Sequence, residues 1–261
     1  MPSNKTSVNP SGQTITFNER WHKYKSQLPD GKTIEYKSVT TLIHDFSQPF
    51  DAPAQAARVA ERDGVKVEDV LKEWEDKRNY ASDFGTRIHE TCEDILLGHK
   101  RRNTMWSDDE RPVAEHAYEV ASRIKSNMNV LDVEKIVFDV DDEIAGTIDL
   151  FAEDKKGQIW IMDWKTNASI DKFNKFRKVM LPPVNNLSDC NFNHYSLQLS
   201  MYEHILKKAG YIDGGKIVKR ALIHLTKDGF EFMHTPDYSD YVSVILECYK
   251  RKIEEDREIP F

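Results

Sequence analysis

The segment Gln158-Ile159-Trp160-Ile161-Met162-Asp163-Trp164-Lys165 is apolar on both alternating faces until a charged pair closes it, the pattern of a strand covered on both sides. Residues two apart in a strand share a face and lie roughly 6 to 7 Å apart, so Asp163 and Lys165 point into the same space. A preceding strand candidate carries Thr147, Asp149 and Phe151 on one face, with Gly146 allowing close backbone approach at its start. Hard divalent ions take oxygen ligands, usually one or two carboxylates plus water and a substrate phosphate. Asp149 and Asp163 meet that requirement, and Lys165 stands where it would meet an attacking water. The plainer alternative is that both aspartates are strand-end charges and Lys165 simply pairs with one of them. Glu134 shares its expected strand face with Ile136, Phe138 and Val140, an awkward place for an acid without a cation nearby; a strand-end Glu emerging into solvent is the equal alternative.

These residues need elements to hold them. Residues 1 to 12 read as a loose terminus, and 13 to 37 as short β-type runs broken by Pro29-Asp30-Gly31, which predicts a small hairpin. From Ser38 to Leu97 the period turns helical, with Val39, Leu42, Ile43 and Phe46 at helical spacing, then an Ala-rich stretch and two more helices. The last of these is expected to start at a Ser82 or Asp83 cap, bury Phe84, Ile88, Ile95 and Leu96, and stop at Gly98, with His89 beside the stripe. A helix near 112 to 127 follows, then strands at 133 to 140, 144 to 152 and 158 to 164. Helix 194 to 209, strands near 217 to 225 and 229 to 234, and a C-terminal helix with Tyr241, Ile245, Leu246 and Tyr249 on one side complete the chain. The order describes a central mixed sheet flanked by helices, an α/β sandwich. A division into an N-terminal hairpin and helical region, 1–80, packed on a core of 81–261 is expected.

Composition limits the function classes. The chain has 261 residues, 39% of them hydrophobic, enough for a packed interior. Lys and Arg total 37 against 44 Asp and Glu, a net charge of −7, which argues against bulk electrostatic attraction to nucleic acid but allows a local basic surface. Cys92, Cys190 and Cys248 are scattered and form no C-x-x-C pair, so neither a zinc site nor a disulfide framework is indicated. No apolar run reaches membrane-span length and the N-terminus lacks the order of a secretory signal, so no membrane partner and a cytoplasmic setting are expected.

Four segments resemble, in order, motifs of the RecB-like branch of the PD-(D/E)XK nuclease superfamily, as in phage and mitochondrial genome maintenance exonucleases. Gly85-Thr86-Arg87-Ile88-His89-Glu90 is similar to the G-T-x-x-H helix motif, Gly146-Thr147-Ile148-Asp149 to G-x-x-D, Asp163-Trp164-Lys165 to D-x-K, and Gln198-Leu199-Ser200-Met201-Tyr202 to Q-x-x-x-Y. Each alone is common; their order and their placement on helix, strand, strand and helix make the combination specific. Ser38-Val39-Thr40-Thr41-Leu42-Ile43 also looks like a segment of the phage and mitochondrial group.

The resemblance implies a restriction-endonuclease-like fold and a magnesium- or manganese-dependent deoxyribonuclease, with an exonuclease acting on single-stranded ends in replication, recombination or repair as the favoured reading. It implies His89, Asp149, Asp163 and the backbone carbonyl of Trp164 as metal ligands and Lys165 as catalytic, with Gln198 and Tyr202 supporting the site or touching DNA. Without it, His89, Gln198 and Tyr202 would read as ordinary helix residues, and His89 followed by Glu93 excludes an H-E-x-x-H zinc site. The four cysteines of the iron-sulfur relatives have no counterpart, so no such cluster is expected. The basic run Lys172-Phe173-Asn174-Lys175-Phe176-Arg177-Lys178 interleaves cations with aromatics as single-strand binders do, which makes Lys172, Lys175, Arg177 and Lys178 candidate DNA contacts, although charge runs are usually solvated faces. Two readings compete: a catalytically inactive DNA-binding or recruitment protein on a nuclease fold, and a structure-selective endonuclease. A sequence-specific restriction enzyme would need a recognition domain that the sequence does not show. Protein partners and oligomeric state are not readable.

Overall fold

A computed structural model describes residues 4–100, 102 and 104–258. Nine strands among these residues form one mixed sheet. An N-terminal antiparallel meander, β1 (Asn4–Val8), β2 (Thr14–Asn18), β3 (Lys23–Gln27) and β4 (Thr33–Ser38), is followed by α1 (Val39–His44), α2 (Ala52–Asp63), α3 (Val67–Leu97) and α4 (Arg111–Asn127). Then come β5 (Asn129–Asp139), β6 (Ile144–Glu153), β7 (Ile159–Lys165), α5 (Asn191–Lys208), β8 (Val218–Thr226), β9 (Gly229–His234) and α6 (Ser239–Glu258). The sandwich of helices on a mixed sheet is the architecture the periodicity predicts, and helices α1, α5 and α6 cover one face while α3 and α4 cover the other.

Three local expectations are corrected. The hairpin is a four-stranded meander, and β1 lies within the stretch read as a loose terminus; its polar sequence has no alternation, and it forms because β2 offers a ladder, Ser7 opposite Ile15. The expected cap at Ser82 or Asp83 lies inside a helix of 31 residues that starts at Val67. The preceding residues are strong helix formers with a Glu73–Lys77 pair one turn apart, so helix continues through a local stop-and-start signal. Its other end is as expected, with Gly98 in the left-handed conformation at φ 75°.

Pairing of β6 shapes the site. β5 pairs along nearly its whole length on one edge. On the other edge β4 pairs only with Ile144–Ala145, in parallel, and β7 only with Leu150–Glu153. Residues Gly146 to Asp149 therefore face a fork, beyond which Asp163, Trp164 and Lys165 of β7 leave β6 but keep the pairing with β8 that runs the whole length of β7. Apolar residues on both sides hold the fork open. Ile148 and Ile161 belong to the core under α5, and Leu150, Met162 and fully buried Trp164 to the core under α3 and α4. Burying a side chain of that size contributes roughly 1.5–3 kcal/mol, so β7 cannot easily shift to close the gap.

Helix α3 is a strut. Its C-terminal half packs on the sheet through Ile88, Cys92 and Leu96, and its N-terminal end packs with α2 through Val70 around Ala56 and Ala60. Between them, residues 75 to 83 are exposed on every face, which a helix tolerates when both ends are anchored.

Candidate active site

At the fork, the sheet and two helices bring the sequence-predicted residues together. His89 is presented by α3, one residue past the buried Ile88. Its Nε2 lies 3.2 Å from the Trp164 carbonyl oxygen, which can only accept, so Nε2 carries a proton. Its Nδ1 faces Asp149 Oδ2 at 3.4 Å and Glu134 Oε1 at 3.7 Å. One ligand atom from each of His89, Glu134 and Asp149 lies within 4.8 Å of the others, a spacing one cation could bridge.

Glu134 reaches this group through an unusual backbone. Val133 pairs with Leu150 and Lys135 with Ile148, which puts Glu134 opposite Asp149, yet Glu134 itself has φ 51°. A non-glycine residue in this region stores about 1–3 kcal/mol of strain and is held only where its surroundings demand it. Here a residue in the left-handed region stands on the face that Ile136 shares with Thr147 and Asp149, and its carboxylate lies close to that of Asp149 against like-charge repulsion.

Asp163 and Lys165 form the second half. They are in direct ion-pair contact, and both side chains are largely buried. Asp163 Oδ1 accepts from Gln198 Nε2 at 3.5 Å, while its buried Oδ2 is the oxygen that meets the Lys165 ammonium. Gln198 also donates to the Tyr202 hydroxyl at 3.1 Å, the two being one turn apart on α5. Asp149 is fixed by the Trp164 backbone N–H, which donates to its Oδ2 at 2.9 Å and ties the β6 carboxylate to the β7 strand end.

Burial and neighbouring charge set the electrostatics of the site. Burial raises the Asp149 carboxyl, and the neighbouring Asp163 charge raises it further. Burial opposes charge on His89, but Asp149 and Glu134 outweigh it and push the imidazole up to about 9. Burial likewise opposes charge on Lys165, and Asp163 and Asp149 prevail, raising it. With the proton of the neutral ring on Nε2, Nδ1 presents a lone pair to the space shared with Asp149 and Glu134.

Several contributors were not singled out from sequence. Lys165 Nζ sits 4.3 Å from the centre of the Tyr195 ring, whose hydroxyl donates to Asn167 Oδ1 at 3.0 Å. Tyr195 lies three residues before Gln198 on α5, a helical spacing that places both on one face. Tyr24 of the meander meets the Thr147 hydroxyl at 2.9 Å, and burial pushes its phenol up to about 12. Of the other histidines, His22 packs against Phe17 in a turn, and His194 pairs with Asp189 at 2.7 Å. The basic run lies in the loop between β7 and α5, where Asn174 pins the backbone through Ser188 Oγ and the Asp189 carbonyl. Phe173 and Phe176 are 78% and 84% exposed on that fixed loop, and Lys172 covers Phe192.

A groove of about 620 Å³ leads to His89 and Glu134 along α3, past Ser82 and Thr86, with Lys5 and Arg102 on its rim. No helix among the described residues is long and apolar enough to cross a membrane. Comparison with known families finds that residues 20–255 match the model for the PD-(D/E)XK nuclease superfamily. Among solved structures, the chain overlaps a protein of Eubacterium rectale provisionally described as an exonuclease, at TM-score 0.37 and 13% identity over 86% of this chain and 83% of that one. It also overlaps SSO0001, at TM-score 0.29 and 16% identity over 64% and 84%. No curated protein matches.

Proposed function

Since the chain belongs to the PD-(D/E)XK nuclease superfamily, we propose that it is a magnesium- or manganese-dependent deoxyribonuclease that hydrolyses DNA from single-stranded ends. The observation that carries this reading is the completeness of the forked site: His89, Glu134 and Asp149 on one side, Asp163 paired with Lys165 on the other. A degenerate fold kept only for binding has no need of two buried acids, a buried lysine and a strained Glu134 converging on one point.

The donor set fits a hard divalent cation, since two carboxylate oxygens and one imidazole nitrogen lie within bridging distance. A cation held there supplies Lewis-acid polarisation of the phosphate and neutralises the charge that grows on it. His89, Glu134 and Asp149 would hold it, with the Trp164 carbonyl fixing the His89 tautomer. Lys165, held in place by Asp163 and the Tyr195 ring, orients the attacking water and stabilises the negative charge of the transition state. Gln198 and Tyr202 keep the Asp163 carboxylate aimed. The exposed Phe173 and Phe176, with Lys172, Lys175, Arg177 and Lys178 around them, suit an unpaired strand, because stacking needs bases with free faces.

The test uses end-labelled linear and circular DNA, single- and double-stranded, with magnesium, manganese or a chelator. Linear single strands should be degraded to short products with either metal and spared with the chelator. Cleavage of circles would favour a structure-selective endonuclease, and failure to cut any substrate would favour the inactive DNA-binding alternative.

A further inference from the structure

On the opposite flank of α3 from the metal-side groove lies a second cavity, of about 510 Å³, with no part in the reaction described above. Tyr80, Phe84, Val113 and Leu225 supply its apolar walls, and Thr166 and Lys227 its polar ones. Thr166 directly follows Lys165, and Ala81 lines both cavities, so the two spaces flank one turn of helix at the end of β7.

Tyr80 is the one aromatic residue in the exposed stretch 75 to 83, and it is 55% exposed. Exposed tyrosines ordinarily sample several rotamers; this one is fixed. Its hydroxyl donates to Glu110 Oε1 at 3.1 Å, and Glu110 is itself buried, clamped by Arg87 and by the Ser107 backbone N–H at 3.0 Å. Its ring lies parallel to that of Phe84, within 7°, at 6.4 Å between centres. Phe84 in turn meets the edge of Trp106 and the Arg87 guanidinium. A buried network therefore holds an exposed aromatic face in one orientation, which removes much of the ordering cost of binding a flat ligand.

We infer that this cavity is a nucleobase subsite: one unpaired base of the substrate strand, next to the phosphodiester being cut, stacks on Tyr80 between α3 and the β8–β9 turn. The inference rests on the nuclease reading and adds the reason for a single-strand preference. A base is favoured over a phosphate because the rim carries Asp109 and Asp228 as well as Lys227, and Lys227 is already paired with Asp109 at 2.8 Å. Continuity with Lys165 through Thr166 makes the occupant part of the strand being cut.

The experiment places 2-aminopurine at successive positions of a single-stranded oligonucleotide and binds it to the full chain in calcium, alongside Tyr80→Leu and Tyr80→Phe variants. Hydrolysis of bis(p-nitrophenyl) phosphate, which has no base, is followed in manganese in parallel. The expected result is quenching confined to one or two adjacent positions, lost in Tyr80→Leu and kept in Tyr80→Phe. Affinity for single strands should fall about tenfold in Tyr80→Leu, with no change for blunt duplex. Hydrolysis of the base-free ester should be equal in all three proteins. Quenching that survives Tyr80→Leu, or equal losses on single strands and duplex, would overturn the subsite. So would loss of base-free hydrolysis in Tyr80→Leu, since the residue would then act through the helix. If the wild-type protein hydrolyses neither DNA nor the base-free ester yet quenches a Tyr80-dependent position, the nuclease reading fails and the base site stands.

Discussion

A Cβ built on Gly146 would lie 2.5 Å from Cε1 of Tyr202, so the start of the β6 fork and the α5 tyrosine that supports Gln198 are in direct contact. The G-x-x-D and Q-x-x-x-Y segments are thus two sides of one packing arrangement. Tyr202 is buried in the core that α5 forms with the sheet, so its ring can give way only by disturbing that core. Gly146→Ala should therefore destabilise the protein by about 1–3 kcal/mol, the range for overpacking a tight interior. It should also lower kcat by displacing Tyr202 and, through Gln198, Asp163. Urea titration and steady-state rates check both effects. In a cycle with Tyr202→Leu the two losses should be non-additive, since the smaller side chain makes room; additive losses would mean that the contact does not transmit to the site.

Lys165 and Asp163 are largely buried together, which gives their substitutions a structural as well as a chemical effect. Lys165→Ala should reduce DNA hydrolysis by about a thousandfold or more. In the metal-free protein it should also cost about 3 kcal/mol, because Asp163 is left as a buried charge without a partner. Added magnesium or manganese should recover part of that stability and none of the activity. Thermal melts with and without metal, beside the rate assay, separate the two; a fully active Lys165→Ala protein would remove the lysine from the chemistry.

Glu134 is where strain and like charge meet. Glu134→Gln keeps the shape and removes one negative charge from the group around His89 Nδ1. Manganese binding measured calorimetrically should weaken about tenfold, the effect of a close-in substitution at a metal site. Stability of the metal-free protein should not fall, since repulsion with Asp149 is relieved at the same time. Unchanged affinity would mean that Glu134 stands outside the ligand set.

Acid stability should follow two carboxylates remote from the fork. The Arg87 hydrogen bond holds Glu110 down to about 2. Burial opposes the charge on Asp142, but His204, Lys208 and Lys250 prevail and hold it well below the usual carboxylate range. Both folded values lie below the unfolded ones, so their stabilisation is fully present above about pH 4–5 and is lost as pH falls toward about 2. Denaturant midpoints across that window should decline steeply in the wild-type protein. The decline should be shallower in a Glu110→Gln, Asp142→Asn double variant, which starts from lower stability at neutral pH. Equal slopes would assign the acid sensitivity to other groups.

How much of this was legible depends on sequence distance. Asp163 with Lys165, and Gln198 with Tyr202, are pairs whose periods of two and about four residues fix their relative direction, and the strands and helices carrying them follow from hydrophobic spacing. Contacts that join distant segments left no such mark. Tyr24 and Thr147 are 123 residues apart, and nothing local to either announces the other. The clamp between Arg87 and Glu110 crosses from α3 to the start of α4. Alternation assigned Glu134 the face of Ile136, which the pairing of Ile136 with Thr147 makes the face of Asp149 as well; its positive φ, a property of the folded surroundings, left no mark in the sequence. Tyr195 could have been found, since it lies one turn before Gln198 on the face that carries the motif.

The loop that follows β7 supplies the last test, because its aromatic residues are exposed at no benefit to folding. Phe173 and Phe176 are almost fully solvent-accessible, while the backbone between them is pinned through Asn174 to Ser188 and Asp189. Truncating them removes surface that the folded protein does not bury, so a Phe173→Ala, Phe176→Ala double variant should melt within about 1 °C of the wild type, consistent with exposed positions contributing little. Stacking contributes about 1–3 kcal/mol per base, so loss of even one stacked base should weaken binding of a single-stranded oligonucleotide by about tenfold or more. Replacing Lys172, Lys175 and Lys178 by Gln should act differently: binding should weaken for single strands and duplex alike, and the dependence of affinity on salt should become shallower as phosphate contacts are lost. Fluorescence anisotropy over a salt series distinguishes the two classes. If the double phenylalanine variant binds single strands as the wild type does, the loop is a solvated surface and strand recognition must rest on the groove beside α3.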